Sequence, residues 1–351
     1  MAYIQWQFDK FNEAIMLGRF EENATLREKR DIIKDRLADQ LPGVFEAAGE
    51  ACPDFYFRDQ GSYEMGTGVK PLDGDFDIDQ GIYFEVNIES YPDPVVLKQR
   101  VHRALEGHTD NVCIRRSCVT AFYHNEGEPI YHVDIAVYSD GNSNHDGQAR
   151  IAKGKENSGS EYRVWEFSNP QALTEMIESR FEGNDRAQFR RVVRSLKRWK
   201  DVNFPSDGNA APIGIGITIA AYHSLRTCYA DIVAGKPDDL AALRDLVWKV
   251  RGQFMSTWDS TEQQWTRRLV VTLPVEPWND LFEKMTNKQM VDFEEKLQIL
   301  QQSLDSAIEE VDPVEACETL RKVFGDDFPV PPPEETAKRH TPAIVSSSNS
   351  A

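Results

Sequence analysis

Apolar positions recur at helical spacing through residues 5 to 48: Trp6, Phe8, Phe11 and Ile15, then Ile32, Ile33, Leu37 and Leu41. Charged residues fill the other face, which predicts amphipathic helices. From Phe55 to Tyr138 the pattern changes to short strand-like runs, FYFRDQ, FDIDQGIYFEV, VCIRRSCVTAFYH and PIYHVDIAVYS. Asn125 to Pro129, between the last two, reads as a hairpin loop. Residues 140–161 are rich in Gly, Ser and Asn and are expected to form a mobile loop. Helical spacing returns over 169–182, 184–203, 212–232, 238–258 and 287–310. Residues 329–351 carry many Pro and Ser and no periodicity, which predicts a disordered tail. A mixed strand–helix half followed by a helical half implies an α+β protein with a cleft between the two.

Composition narrows the function classes. A chain of 351 residues suits about two domains or one large two-lobed one. Hydrophobic residues at 40% and charged residues at 28% are the balance of a soluble globular protein. Lys+Arg 40 against Asp+Glu 58 gives a net charge of −18. That excess of acid argues against a long nucleic acid or a membrane surface as partner, while a local basic cleft could still hold a small anion. Five scattered cysteines make no disulfide framework. Cys113 and Cys118 lie near His108, but at that spacing on a strand they face opposite sides and would not share a zinc ion. The start, MAYIQWQFDKFNEA, shows no secretory pattern. The longest apolar run, Ala211 to Tyr222, falls short of the roughly 20 residues a membrane helix needs. The expectation is a soluble, cytoplasmic protein.

The most informative stretch is Gln60-Gly61-Ser62-Tyr63-Glu64-Met65-Gly66-Thr67, followed by Asp73-Gly74-Asp75-Phe76-Asp77-Ile78-Asp79-Gln80-Gly81-Ile82-Tyr83-Phe84. Alternate side chains of a strand share a face, so Asp77 and Asp79 point one way and Ile78, Ile82, Phe84 and Val86 the other. Two neighbouring carboxylates repel unless a cation sits between them, and Mg²⁺ is the natural occupant. In His132-Val133-Asp134-Ile135-Ala136-Val137 the apolar residues face the core and leave Asp134 on the opposite face. Three converging acids can hold two Mg²⁺ about 4 Å apart, as in phosphoryl and nucleotidyl transfer. An EF-hand starting at Asp73 would need Gly and Glu where Ile78 and Phe84 stand. A Walker A loop would need Lys where Thr67 stands. A solvated acidic loop is the remaining alternative, and the Gly-Ser turn and Asp134 weigh against it.

A Gly-Ser turn, then Asp-x-Asp on a strand, then a distant third Asp resembles the polymerase-β-like nucleotidyltransferase superfamily. GSYEMGT, FDIDQGIYF and VDIAVY resemble in particular the bacterial cGAS/DncV-like nucleotidyltransferases, or CD-NTases. Trp165-Glu166-Phe167-Ser168-Asn169-Pro170, Ser195-Leu196-Lys197-Arg198-Trp199 and Leu273 to Leu281 resemble further elements of that family, so the likeness spans roughly residues 50 to 285. It implies a nucleotidyltransferase catalytic lobe with N-terminal helices over 1–165, a helical lobe over 166–328 and the tail over 329–351.

The resemblance also implies roles. Gly61 and Ser62 would hold the donor triphosphate, Asp77 and Asp79 would bind both Mg²⁺ ions (Mn²⁺ as the alternative), and Asp134 would complete the catalytic site. Asp75-Phe76-Asp77 is a second Asp-x-Asp register. Asp77/Asp79 is preferred because it leads straight into the apolar strand and relatives commonly read Asp-Ile-Asp there. Arg190, Arg194 and Lys197 form a basic ridge beside the stripe Val192, Val193, Leu196 and Trp199, a plausible counter-field for a triphosphate or a solvated face. Lys197 matches the family's triphosphate lysine, and Thr218 with Gly214 and Gly216 lies where relatives make a second phosphate contact. Lys153 and Lys155 are lid residues or soluble surface; Tyr63 and Tyr222 stack on a base or simply pack.

The implied activity is synthesis of a cyclic di- or trinucleotide second messenger from NTPs, ATP and GTP favoured, in bacterial anti-phage (CBASS) signalling with a separate effector protein. A conjugation partner acting at Ala351 is a further implication. The alternatives are transfer to a tRNA, an antibiotic or a protein, or a catalytically silent nucleotide-binding module.

Overall fold

The computed structural model describes residues 2–18, 24–72, 76–125, 128–205 and 211–332. Its first half runs α1 (Gln5–Ile15), α2 (Ala24–Ala47), β1 (Phe55–Asp59), the single turn α3 (Gly61–Glu64), β2 (Phe76–Phe84), α4 (Val95–Leu105), β3 (Asn111–Ile114), β4 (Val119–Asn125), β5 (Glu128–Ser139), β6 (Arg150–Lys153) and β7 (Val164–Phe167). The second half runs α5 (Pro170–Ser179), α6 (Gly183–Asn203), α7 (Gly214–Ser224), β8 (Tyr229–Asp231), β9 (Lys236–Pro237), α8 (Asp239–Gly252), β10 (Met255–Asp259), β11 (Gln264–Arg268), α9 (Asn287–Glu309) and α10 (Pro313–Phe324). The fold is α+β, as the hydrophobic pattern predicts. No helix among the described residues is long and apolar enough to cross a membrane.

One mixed sheet organises the first half, in the order β1-β2-β5-β4-β3, with β6 continuing from β5 and β7 from β6. β2 and β5 run parallel, and the other pairs are antiparallel. The apolar face of β2 and β5 (Ile78, Ile82, Phe84, Val133, Ile135, Val137) packs against α2 through Ile33, Leu37 and Leu41 and against α4 through Leu97 and Val101. Burial on that side fixes the register, because a one-residue slip would turn the apolar set outward. The acids are thereby held on the opposite face.

The helical half has its own core, in which Trp199, Leu246, Phe293 and Leu300 are buried. Ile4, Phe8, Phe11 and Ile15 join this core rather than the sheet's. Phe8 and Phe11 meet Phe328 at ring-centroid distances of 5.3 and 5.1 Å. The N-terminal helix therefore packs apart from the sheet-bearing half with which the sequence groups it. Past its end the chain crosses back: Leu17 N–H donates to Gly68 O at 3.2 Å, and Lys70 N–H to Ile15 O at 2.8 Å.

Several elements differ from the sequence reading. Val95–Leu105, inside the region read as strands, is a helix whose Lys98 is fully buried. Its ammonium donates to the carbonyls of Arg115, Arg116 and Gly154 at 2.5, 3.0 and 2.7 Å, and a Lys on the inner face obscures the apolar stripe. The stretch 140–161, expected to be a mobile loop, contains β6 and is tied down by Asn144. That side chain donates to Ser139 Oγ at 2.7 Å and Gln148 O at 2.9 Å. The helix expected over 238–258 stops at Gly252, and β10–β11 forms a hairpin turned by Asp259, which accepts Thr261 N–H at 2.8 Å. α10 lies beyond the last expected helix, opened by Asp312 at its N-cap and Pro313. Asp75, Glu126, Gly127, and the tail from 333 to Ala351 lie outside the described residues.

A buried ion pair joins α1, α6 and α8. Asp239, 2% exposed at its side chain, accepts from Arg191 Nε at 2.6 Å and Nη2 at 2.9 Å, and its backbone N–H donates to Gln5 Oε1 at 2.8 Å. Asp239→Ala would leave the largely buried Arg191 with only the half-exposed Asp9, 3.8 Å away, a cost of about 3 kcal/mol. Denaturant titration measures this loss; one below about 1 kcal/mol would mean the pair behaves as a solvated surface pair.

Candidate active site

The acids stand where the register of β2 and β5 puts them. Asp79 is directly opposite Asp134, and Asp77 is opposite His132. Side chains two residues apart on one strand share a face, so all four project together, away from the apolar core. Asp77 is half exposed, whereas His132 is only 12% exposed, with its Nε2 3.2 Å from Asp77 Oδ1. One ligand atom each of Asp77, His132 and Asp134 lies within 4.8 Å of the others, close enough to share a cation. Asp79 is outside that trio. Enclosure pushes its carboxyl well above the usual range, and the charges of Asp77 and Asp134 push it further. A divalent cation would reverse that balance, and the carboxylate and imidazole donors present suit one.

Gly61 and Ser62 open α3, directly after β1. Gly61 has φ +78, a left-handed conformation suited to Gly, and a Cβ there would collide with the Asp79 carboxylate. The Gly-Ser turn is thus pressed against the acid strand because Gly has no side chain. On the other side, Thr120 Oγ1 donates to Asp134 Oδ1 at 2.5 Å and fixes that carboxylate's rotamer. Cys118 lies next to this pair; burial, together with the Asp134 charge, raises its thiol to about 12, so it stays protonated and unreactive.

The acids open into a cleft against the helical half. A cavity of about 1010 Å³ extends from Ser62 and Asp77 to Gly214, Phe282 and Lys284. An adjoining space of about 480 Å³ is bounded by Gly61, Asp79, Lys197 and Thr218. Ser62, Asp77, Lys200 and Gly214 border both, so the two make one continuous cleft on the scale of a nucleotide pocket. Lys197 is held at its wall, donating to Thr67 O at 3.1 Å and Thr67 Oγ1 at 3.2 Å. Burial, with a smaller contribution from neighbouring Lys200, lowers its ammonium to about 7.

The structure thus brings together Gly61, Ser62, Asp77, Asp79, Asp134, Lys197 and Thr218. Thr218 lines the cleft with its hydroxyl donated to Gly214 O at 3.0 Å. Arg194 does not join them. It is buried, and its guanidinium binds Asn12 Oδ1 at 2.5 Å and Gly66 O at 2.8 Å, tying α1 to the turn after α3. Arg190 pairs with Glu178 at 3.2 Å. Lys153 donates to Ser117 Oγ at 3.0 Å from within β6. Tyr63 is buried in the sheet-side core at the edge of the cleft. Sequence reasoning missed His132, Lys200 and Lys284. The Asp-opposite-His register across β2 and β5 is the signal that identifies His132.

Residues 55–138 match the family model described as cyclic GMP-AMP synthase DncV-like, nucleotidyltransferase domain. That span holds β1 to β5 with Gly61, Ser62 and the three acids. Over nearly its whole length the chain is similar in fold to solved structures from Vibrio cholerae. The DncV cyclic AMP-GMP synthase, a prokaryotic cGAS homolog, is 17% identical at a TM-score of 0.67, with 94% of this chain and 98% of that chain covered. Its GTP-bound form is 18% identical at a TM-score of 0.67, covering 92% and 95%. The complex with the linear intermediate 5′ pppA(3′,5′)pG is 16% identical at a TM-score of 0.63, covering 92% and 96%. Residues 55–138 thus match a DncV-like nucleotidyltransferase domain, and the chain shares the α+β fold of these synthases over nearly its whole length.

Proposed function

We propose that the protein is a nucleotidyltransferase that joins two or three nucleoside triphosphates, purine-bearing ones favoured, into a cyclic oligonucleotide. The observation that carries this reading is the placement of Asp77, Asp79 and Asp134 on one sheet face, pressed against the Gly61–Ser62 turn at the floor of a nucleotide-sized cleft. At each step a ribose hydroxyl oxygen bonds to the α-phosphorus of a second nucleotide. The bond from that phosphorus to the β-phosphate bridging oxygen breaks, pyrophosphate leaves, and the hydroxyl proton passes to a carboxylate of the acidic face or to water. Divalent ions bound there would neutralise charge developing on the transferred phosphate and the leaving group. Ser62 and the backbone N–H groups of the turn would hold phosphate oxygens. Lys197, Lys200 and Lys284 would supply positive charge along the triphosphate. Solved relatives are described with GTP and with a linear dinucleotide intermediate, which supports a two-step synthesis in one cleft. In this reading the product is a second messenger in bacterial anti-phage signalling, read by a separate effector protein.

Incubation with the four NTPs and Mg²⁺ or Mn²⁺, then phosphatase digestion and mass spectrometry, tests the reaction. The expected result is a phosphatase-resistant cyclic product that is absent for Asp77→Ala/Asp79→Ala protein. A nucleotide attached to another acceptor would overturn the cyclisation, and equal product from the double variant would overturn the site.

A second expectation concerns pH. The Lys197 ammonium titrates near 7 in the free protein, and a triphosphate beside it favours the charged form. Nucleotide binding should therefore take up a proton as pH rises past this value, and affinity should weaken by at most about tenfold per pH unit. Calorimetry in two buffers of different ionisation heat reads the uptake. It should vanish in Lys197→Arg, whose guanidinium stays charged throughout; unchanged uptake would assign the proton to another group.

A further inference from the structure

We propose that His132 is a nitrogen ligand of this site and tilts it toward a first-row transition ion, Mn²⁺ or Co²⁺, over Mg²⁺. The inference rests on the acidic face being a metal site and goes beyond the three acids. Parallel pairing of β2 with β5 sets His132 opposite Asp77, and the two-residue period of β5 sets it beside Asp134 on the same face. The Nε2-to-Asp77 Oδ1 separation of 3.2 Å matches the spacing of adjacent ligands on one ion, about 3 Å when each bond is near 2.1 Å. A ligand atom of Asp134 completes a trio within 4.8 Å. The imidazole is also fixed in place. It is 12% exposed, and the ring of Phe122, its register partner on β4, packs beside it with centroids 5.8 Å apart.

Donor chemistry then sets the preference. Mg²⁺ favours an all-oxygen octahedron and keeps its waters, whereas imidazole nitrogen adds affinity for transition ions in the order Mn²⁺ below Co²⁺. A site of carboxylates alone would discriminate less between Mg²⁺ and Mn²⁺. The buried position of the ring, with the more open Asp77 in front, makes the nitrogen a constant part of the donor set.

Pulsed EPR of Mn²⁺ bound to the full chain without nucleotide is the test. The expected spectrum shows coupling to a histidine nitrogen that changes from the ¹⁴N to the ¹⁵N pattern on ¹⁵N-histidine labelling. The coupling disappears in His132→Asn, with Mn²⁺ affinity falling by about tenfold or more and Mg²⁺ affinity, read by competition, falling by less than about twofold. Should that variant fail to fold, His132→Gln carries the same comparison. Bound Mn²⁺ without histidine coupling, or coupling that survives in a folded His132 variant, would overturn the proposal and leave His132 as a hydrogen-bond partner of Asp77. The spectrum needs no turnover, so the two readings separate. A coupled ion in a protein that makes no nucleotide product counts against the reaction alone. Product formed at an uncoupled site counts against the ligand alone.

Discussion

Like charge gathered on one face of two neighbouring strands is the constraint on which the rest of the structure depends. Asp79 and Asp134 face each other across β2 and β5, and oxygens of Asp77 and Asp134 lie within 4.8 Å. At an effective dielectric near 20 such a pair repels by roughly 3 kcal/mol, an upper figure because Asp77 is half exposed. The repulsion is sustained by what lies behind it. Ile78, Ile82, Val133, Ile135 and Val137 are buried on the opposite face, and any shift that separated the acids would expose them. The packed face thus holds the acidic face in a geometry that a cation, but not water alone, relieves.

Other features of the site follow from holding this arrangement against the helical half. Gly61 leaves room for Asp79 where any side chain would displace it. Thr120 fixes the rotamer of Asp134. Arg194, buried and bonded to Asn12 and to Gly66, ties the first helix and α6 to the turn that ends α3. Lys197 is kept at the cleft wall by Thr67, in surroundings that weaken its charge. Electrostatic tension on both walls, acid on one and lysine on the other, is what an ion-bridged triphosphate would satisfy.

Much of this is legible in the residue order. Alternation along Phe76–Phe84 separates the acids from the core, and the Gly-Ser turn ahead of that strand is visible in the sequence as it stands. What stays hidden depends on pairing between distant segments. His132 looks like an ordinary strand residue until β5 is laid parallel to β2, and nothing local announces a parallel neighbour. Arg194 sits on the same helical ridge as Lys197, yet one turn of helix carries it out of the cleft and into the junction with α1. The α4 helix is masked by Lys98 on its buried face, where three carbonyls replace the water that its ammonium gives up. The stretch 140–161 is composed like a flexible linker but is held by the pairing of β6 with β5 and β7 and by the Asn144 side chain.

If the acidic face is strained until a cation neutralises it, thermal unfolding of wild type and Asp79→Asn, each with and without Mn²⁺, will show the strain. A carboxyl raised on folding lowers stability as pH climbs above its unfolded value near 3.8, so its charge is a liability at neutral pH. Asp79→Asn without metal is expected to melt higher than wild type, Mn²⁺ to raise the wild-type midpoint, and the variant to gain much less from the ion. A metal-free variant that melts lower than wild type, or a wild-type midpoint that Mn²⁺ leaves unmoved, would show that the acidic face is not strained.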